Sequence, residues 1–167
     1  MFKNTEVQIC SDNERLFVER YGLAGVYLEN YIYRYAEKLS QDNDAFGIKA
    51  YAGGYWSLEK ITGEDGEVFF WFCLTGKDLE QIRYVNANND VDVIVNIKTF
   101  SMVVNLIAMS NLAYVLFHKS TVGDENTELY ENLNDIIAGS HRALMNVISE
   151  LSESDRERYC LIMRMID

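Results

Sequence analysis

The chain has 167 residues, nearly half of them apolar, with 26 acidic and 15 basic side chains and a net charge of −11. That length supports one domain with a proper core, and that apolar share excludes wholesale disorder. The acidity excludes a generic basic nucleic-acid footprint and leaves two readings, the solvated surface of a soluble cytoplasmic protein or a surface that binds a basic protein or imitates DNA.

At the N-terminus, MFKNTEVQICSDNER lacks the long apolar core of a signal peptide. Ser11 precedes Glu14 with capping-box spacing, which predicts a short helix over about 12–20, ending near Gly22. A second helix is expected over about 24–39, where Val26, Ile32 and Leu39, with Tyr27, Tyr31 and Tyr35, recur at helical spacing. Residues 41–44 form a polar break. The period then changes. Tyr55–Ile61 and Glu67–Leu74 are rich in aromatic and branched residues and flank TGEDGE, a strong turn signal, so a β-hairpin is expected. Its second strand, VFFWFC, is apolar on both faces, as a central strand covered on both sides is, or an edge closed by a partner. A third strand is expected at Gln81–Val85, and NANND (86–90) reads as a loop.

Asn96 is placed to cap a long helix reaching about Phe117. Val103, Leu106, Ile107, Leu112, Ala113 and Leu116 give it a broad apolar surface and make it the main core helix. Ser101, Asn105, Ser110 and Asn111 interrupt this region, so it reads as too polar and too short for a membrane span. Gly123 opens an acidic turn. The helix that follows from about 126, with Leu129, Leu133, Ile136 and Ile137 on one face, either breaks near Gly139 or continues to Leu151. Ser152 precedes Asp155 by three positions and opens a last helix to about Met165, packed by Leu161, Ile162 and Met165. Helices, then strands, then helices give an α+β class: a two-layer fold in which an antiparallel β-sheet of about three to four strands packs against helices from both ends of a single domain, 1–167. With no proline in the chain, its turns fall to Gly, Asn, Asp and Ser.

Signals for catalysis are few. There is no phosphate-binding loop, dinucleotide fingerprint or nucleophile elbow. His118 and His141 are the only imidazoles; they fall in different helices and read as surface or structural residues, His118 in a last turn where a cation suits the helix dipole. Cys10, Cys73 and Cys160 form no CxxC pair and suggest neither a zinc site nor a disulfide framework. Cys73, in the apolar strand, and Cys160, in a helix, read as inert buried thiols, although a cysteine–histidine dyad stays open. No metal or cofactor is expected.

Two groups of residues are candidate interaction sites. Asp124, Glu125, Glu128, Glu131 and Asp135 lie close together with no Lys or Arg among them, either as a solvated helix face or as a docking face for a basic partner. A second acidic cluster, Glu150, Glu153, Asp155 and Glu157, is relieved by Arg156 and Arg158. In YAGGYWSLEKI (51–61), Tyr51, Tyr55 and Trp56 are either core residues or interface anchors at the hairpin entrance. No helix start follows Gly53-Gly54, so the glycines read as a backbone device that lets the chain turn and pass closely under a helix.

Tyr51-Ala-Gly-Gly-Tyr-Trp56 also resembles the signature of the ArdB/KlcA-type antirestriction proteins of plasmids, phages and genomic islands. The order of further motifs agrees: an aromatic strand after a Gly-containing turn (Gly66–Phe72), Ala87-Asn88, a Leu-Ala-aromatic step at Leu112-Ala113-Tyr114, and the tail Arg164-Met-Ile-Asp167. The resemblance covers nearly the whole chain. It departs at Asn86, where the family often has Pro, and between His118 and Glu157, where this chain is longer. The resemblance implies a non-enzymatic α+β protein that relieves type I restriction of incoming foreign DNA. Its expected partner is a type I restriction-modification enzyme or an associated host DNA-processing protein, with no strong direct nucleic-acid binding, no membrane and no cofactor. Two alternatives remain open: an acidic DNA mimic that occupies the groove of a DNA-binding enzyme, and a small hydrolase or transferase using a cysteine or carboxylate.

Overall fold

The computed structural model describes residues 12–75 and 81–167; Cys10 and the Ser11 end of the expected capping box lie outside them. Helix α1 (Asp12–Tyr21) and helix α2 (Leu23–Leu39) open the described chain. The buried stripe of α2 runs through Ala24, Gly25, Leu28, Ile32, Ala36 and Leu39, at three- and four-residue spacing. Val26 lies off that stripe and is exposed, contrary to the sequence reading. Tyr27, Tyr31 and Tyr35 flank it and pack partly against the core.

The strands form two antiparallel ladders rather than one sheet. β2 (Tyr55–Thr62) and β3 (Val68–Thr75) make the expected hairpin. The second ladder has the order β1 (Ser40–Gln41), β4 (Gln81–Asn86), β5 (Val91–Asn96). β1 and β5 were not anticipated: β1 is a two-residue strand in the polar break, and β5 alternates too weakly between apolar and polar to stand out beside the helix that follows it. The NANND segment is the β4–β5 turn, with Asp90 at φ 54°.

Helix α3 (Ile97–Ser120) packs on α2, α4 and α5 and on β3, β4 and β5, so it is the axis of the α+β arrangement. Asn96 caps it, its side-chain oxygen accepting from Thr99 N at 2.8 Å. At 24 residues α3 is long and apolar enough to cross a membrane, which corrects the expectation that this region is too short and too polar. Burial accounts for its composition: among residues 99–109 only Ile107 is not fully buried.

Helix α4 (Thr127–Ser154) runs unbroken through Gly139. A side chain there would place its Cβ 2.6 Å from the Phe69 ring, so glycine serves close helix–strand packing rather than a break. Leu133 and Ile137 are buried as expected, whereas Leu129 is exposed. Helix α5 (Arg156–Ile166) starts later than the Ser152 signal indicates. Its cap is Asp155, which accepts from Arg158 N, and Ser152 belongs to α4. Ile162 and Met165 are fully buried, and Tyr84 Oη donates to Met165 O at 2.6 Å, pinning α5 to β4.

The apolar strand β3 has an unusual environment. β2 pairs with one of its edges. On the other, the amides of alternate residues meet side chains instead of a strand. Phe70 N donates to Tyr21 Oη at 2.8 Å, Phe72 N to Asn105 Oδ1 at 2.8 Å, and Leu74 N to Ser101 Oγ at 3.0 Å. Asn105 Nδ2 returns a bond to Phe72 O at 2.7 Å. The match is geometric: residues four apart on a helix advance about 6 Å, and residues two apart on a strand about 7 Å. Ser101 and Asn105 therefore meet Leu74 and Phe72 with α3 running antiparallel to β3. The next register position on α3 is Met109, and Tyr21 of α1 takes over there. Its hydroxyl bonds Ser140 Oγ, which donates to Ile136 O, so the proton order runs from Phe70 through Tyr21 and Ser140 to α4.

Candidate functional site

The three places where sequence or surface concentrates unusual residues are the hairpin entrance, the α3–α4 turn, and a pocket beside the NANND turn.

At the hairpin entrance Tyr51 and Trp56 are buried and Tyr55 is 66 % exposed. Tyr51 N donates to Ser40 Oγ at 2.8 Å, and Tyr51 Oη accepts from Trp56 Nε1 at 3.0 Å. Their rings meet edge-on with centroids 5.7 Å apart. This pair ties the chain leaving β1 to the start of β2. Gly53 has φ 110°, which disfavours any side chain, and a Cβ on Gly54 would lie 2.9 Å from Leu74 Cδ1. The close approach is thus to β3 rather than under a helix as expected. Glu14, Glu29, Tyr33, Tyr55 and Trp56 line a cleft of about 310 Å³ here. Burial and the neighbouring Glu29 carboxylate push the Tyr33 hydroxyl well above the usual tyrosine range. It stays protonated and donates to Glu29 Oε1.

At the α3–α4 turn, Asp124, Glu125, Glu128, Glu131 and Asp135 are all exposed. None of them forms an ion pair among the described residues. Glu128, Glu131 and Asp135 recur at helical spacing opposite Leu133 and Ile137, so they share the outward face of α4. Asp124 Oδ1 accepts from Asn126 N and shapes the turn. Exposed Tyr114, Phe117 and Val122 lie beside this acidic row in the chain. The end of α3 meets the start of α4 where Lys119 Nζ sits 5.3 Å from the centre of the Tyr130 ring. Among the described residues the structure does not bring the acidic row and the aromatic hairpin entrance into one site: Trp56 packs with Tyr33 of α2 and Tyr51, and neither it nor Tyr51 has a hydrogen bond or ring pair with a described residue of α4.

The third place was not anticipated as a site. A pocket of about 250 Å³ is lined by Asn86, Asn88 and Asn89 of the β4–β5 turn, Ile107, Ser110 and Asn111 of α3, His141 of α4, and Ile166 and Asp167. Asn89 Nδ2 donates to Met165 O at 3.0 Å and to Arg164 O at 3.3 Å, fastening the turn to the end of α5. Its Oδ1 is buried with no donor. Burial holds the His141 ring below its ordinary value and toward the neutral form. In sequence these residues point elsewhere: NANND to a loop, Ser110-Asn111 to interruptions of an apolar helix, and His141 to a surface or structural residue.

Groups suited to covalent chemistry are dispersed. Cys73 is half-buried, and burial with the nearby Glu59 carboxylate pushes its thiol up, away from the reactive thiolate. Cys160 is exposed, which corrects its reading as a buried thiol. His118 is exposed with its ring 4.3 Å from that of Tyr114. Among the described residues no group of three or more His, Cys, Asp or Glu side chains is placed to hold a metal ion. No protein-family model matches the chain, and no curated protein matches it either.

Proposed function

We propose that this protein is a cytoplasmic antirestriction protein, which relieves type I restriction of incoming foreign DNA through protein–protein contacts rather than catalysis. The family resemblance motivates the reading, and one observation carries the mechanism: the exposed acidic row Asp124, Glu125, Glu128, Glu131 and Asp135, without an ion pair among the described residues and preceded in the chain by exposed Phe117 and Val122. Apolar side chains with an acidic rim suit a basic protein surface, because apolar contact supplies affinity and unpaired carboxylates steer the encounter. The proposed partner is a type I restriction-modification enzyme or a host protein acting with it.

DNA mimicry has less support. The α4 part of the row, Glu128 to Asp135, rises only about 10 Å, the length of about three base-pair steps. The test is phage plating on a type I restricting host that expresses the chain. Unmodified phage is expected to plate at higher efficiency, and the Glu128→Lys/Glu131→Lys/Asp135→Lys variant is expected to lose that relief with unchanged thermal stability. Absence of relief with soluble protein present refutes the function. Relief that survives charge reversal moves the contact to another face.

A further inference from the structure

We infer that the pocket between the β4–β5 turn, α3 and α4 is a binding site for a guanidinium group. The inference goes beyond the proposed function and does not depend on it.

The argument starts from which hydrogen-bonding capacity is already used. Asn89 spends both amide hydrogens on the carbonyls of Arg164 and Met165. Asn111 spends one on Ile107 O, at 2.8 Å. A carbonyl only accepts, so the nitrogen of each carboxamide must face it and the orientation of both groups is fixed by chemistry. What remains is an Oδ1 on each, and neither has a donor among the described residues. Asn86 is likewise engaged on both sides: its Nδ2 donates to Tyr84 Oη, and its Oδ1 accepts from Asn88 N. Asn88, Ser110 and His141 can present either role. Asp167 contributes a carboxylate, and among the described residues no Lys or Arg lines the pocket. The pocket therefore has an excess of acceptors, one negative charge and no positive one.

Its natural occupant is a cation with several N–H donors in a plane, and guanidinium offers five. An ammonium ion has three donors on one centre and is more strongly hydrated, so it loses more on entry. The volume of about 250 Å³ accommodates such a head group with its aliphatic stem, and Ile107 and Ile166 supply apolar wall for the stem. Leaving the buried Asn89 oxygen without a donor is unfavourable. A ligand N–H that reaches this oxygen recovers part of that.

The experiment is a titration of the full chain, followed through backbone and side-chain amide NMR signals. The probes are agmatine, an arginine-containing tripeptide and tetramethylammonium, which has the charge without the donors. Saturable shifts centred on Asn88, Asn89, Asn111 and His141 are expected with the first two and not with the third. Tighter binding of agmatine points to a free small molecule, and tighter binding of the tripeptide to an arginine of a protein partner. Asn111→Lys is expected to abolish the shifts and Asn111→Asp to tighten binding several-fold, because a charged acceptor makes the stronger bond. Glu131→Lys, on the acidic face of α4, is expected to change nothing, which separates this site from the docking face. The inference is overturned by an equal response to tetramethylammonium, by the absence of saturable shifts with either guanidinium, or by unchanged affinity in both Asn111 variants.

Discussion

In the first half of α3, Ser101 and Asn105 are fully buried, and they hold Leu74 and Phe72 of β3 by three hydrogen bonds. In the second half, Ser110 and Asn111 face outward, and beyond them Tyr114 and Phe117 are 66 % and 55 % exposed. The residue types are alike, and both pairs interrupt the same apolar run. The difference is what lies opposite. The first half faces a strand edge whose amides need partners; the second leaves its polar atoms to a pocket beside the β4–β5 turn. A polar residue in an apolar helix is thus a structural fastening in one half and part of a candidate site in the other.

That contrast can be broken at several strengths. Asn105→Leu is the most severe test, since it strips partners from both Phe72 N and Phe72 O inside the core. A loss of about 2–4 kcal/mol in denaturant unfolding is expected. A loss below 1 kcal/mol would mean that β3 does not rely on α3. Tyr21→Phe removes one hydroxyl that serves both Phe70 N and Ser140, with an expected loss of about 1–3 kcal/mol in the same measurement.

A smaller effect is expected from His141, which lies at the pocket. Its folded-state value is held below the ordinary 6.5, so the unfolded chain takes up a proton that the folded one resists. Its contribution is complete above that value and declines as the pH falls below it. Between pH 7 and pH 5 the wild-type chain should therefore lose slightly more stability than His141→Gln in denaturant unfolding, a small difference because the half-buried ring is partly screened by solvent. Identical pH profiles would show that the ring is not buried in solution. The smallest effect belongs to the second half of α3: Asn111→Leu and Phe117→Ser should each stay within about 0.5 kcal/mol of wild type in thermal unfolding. A large destabilisation by either would make that half structural like the first.

Much of the fold was legible because it depends on local signals. Asn96 caps α3 as its residue type and position indicate, the TGEDGE turn closes the β2–β3 hairpin, and the order of elements gives the α+β class. The errors have physical sources. Val26 reads as part of the apolar face, yet it stands two positions from both Ala24 and Leu28, which turns it roughly 200° round the helix from them. Ser152 and Asp155 both look like caps, and only the hydrogen bond to Arg158 N decides between them. β3 reads as a central strand because it is covered on both sides, yet one of its neighbours is a row of side chains separated from it by 27 to 49 positions. The pocket was illegible for the same reason: its wall is assembled from residues near positions 88, 110, 141 and 166, none of which is unusual in its own segment.

The side-chain row along β3 also bears on how the chain avoids aggregation. Val68–Cys73 is six consecutive apolar residues of high strand propensity with no charge and no proline, the composition of a segment that stacks into cross-β fibrils. An open edge on such a strand would be a template for a second molecule. Tyr21, Asn105 and Ser101 occupy that edge with groups that cannot themselves be extended by another strand. Solubility of this segment is thereby tied to the docking of α1 and α3, and any partial unfolding that lifts α3 away exposes the most adhesive stretch of the protein.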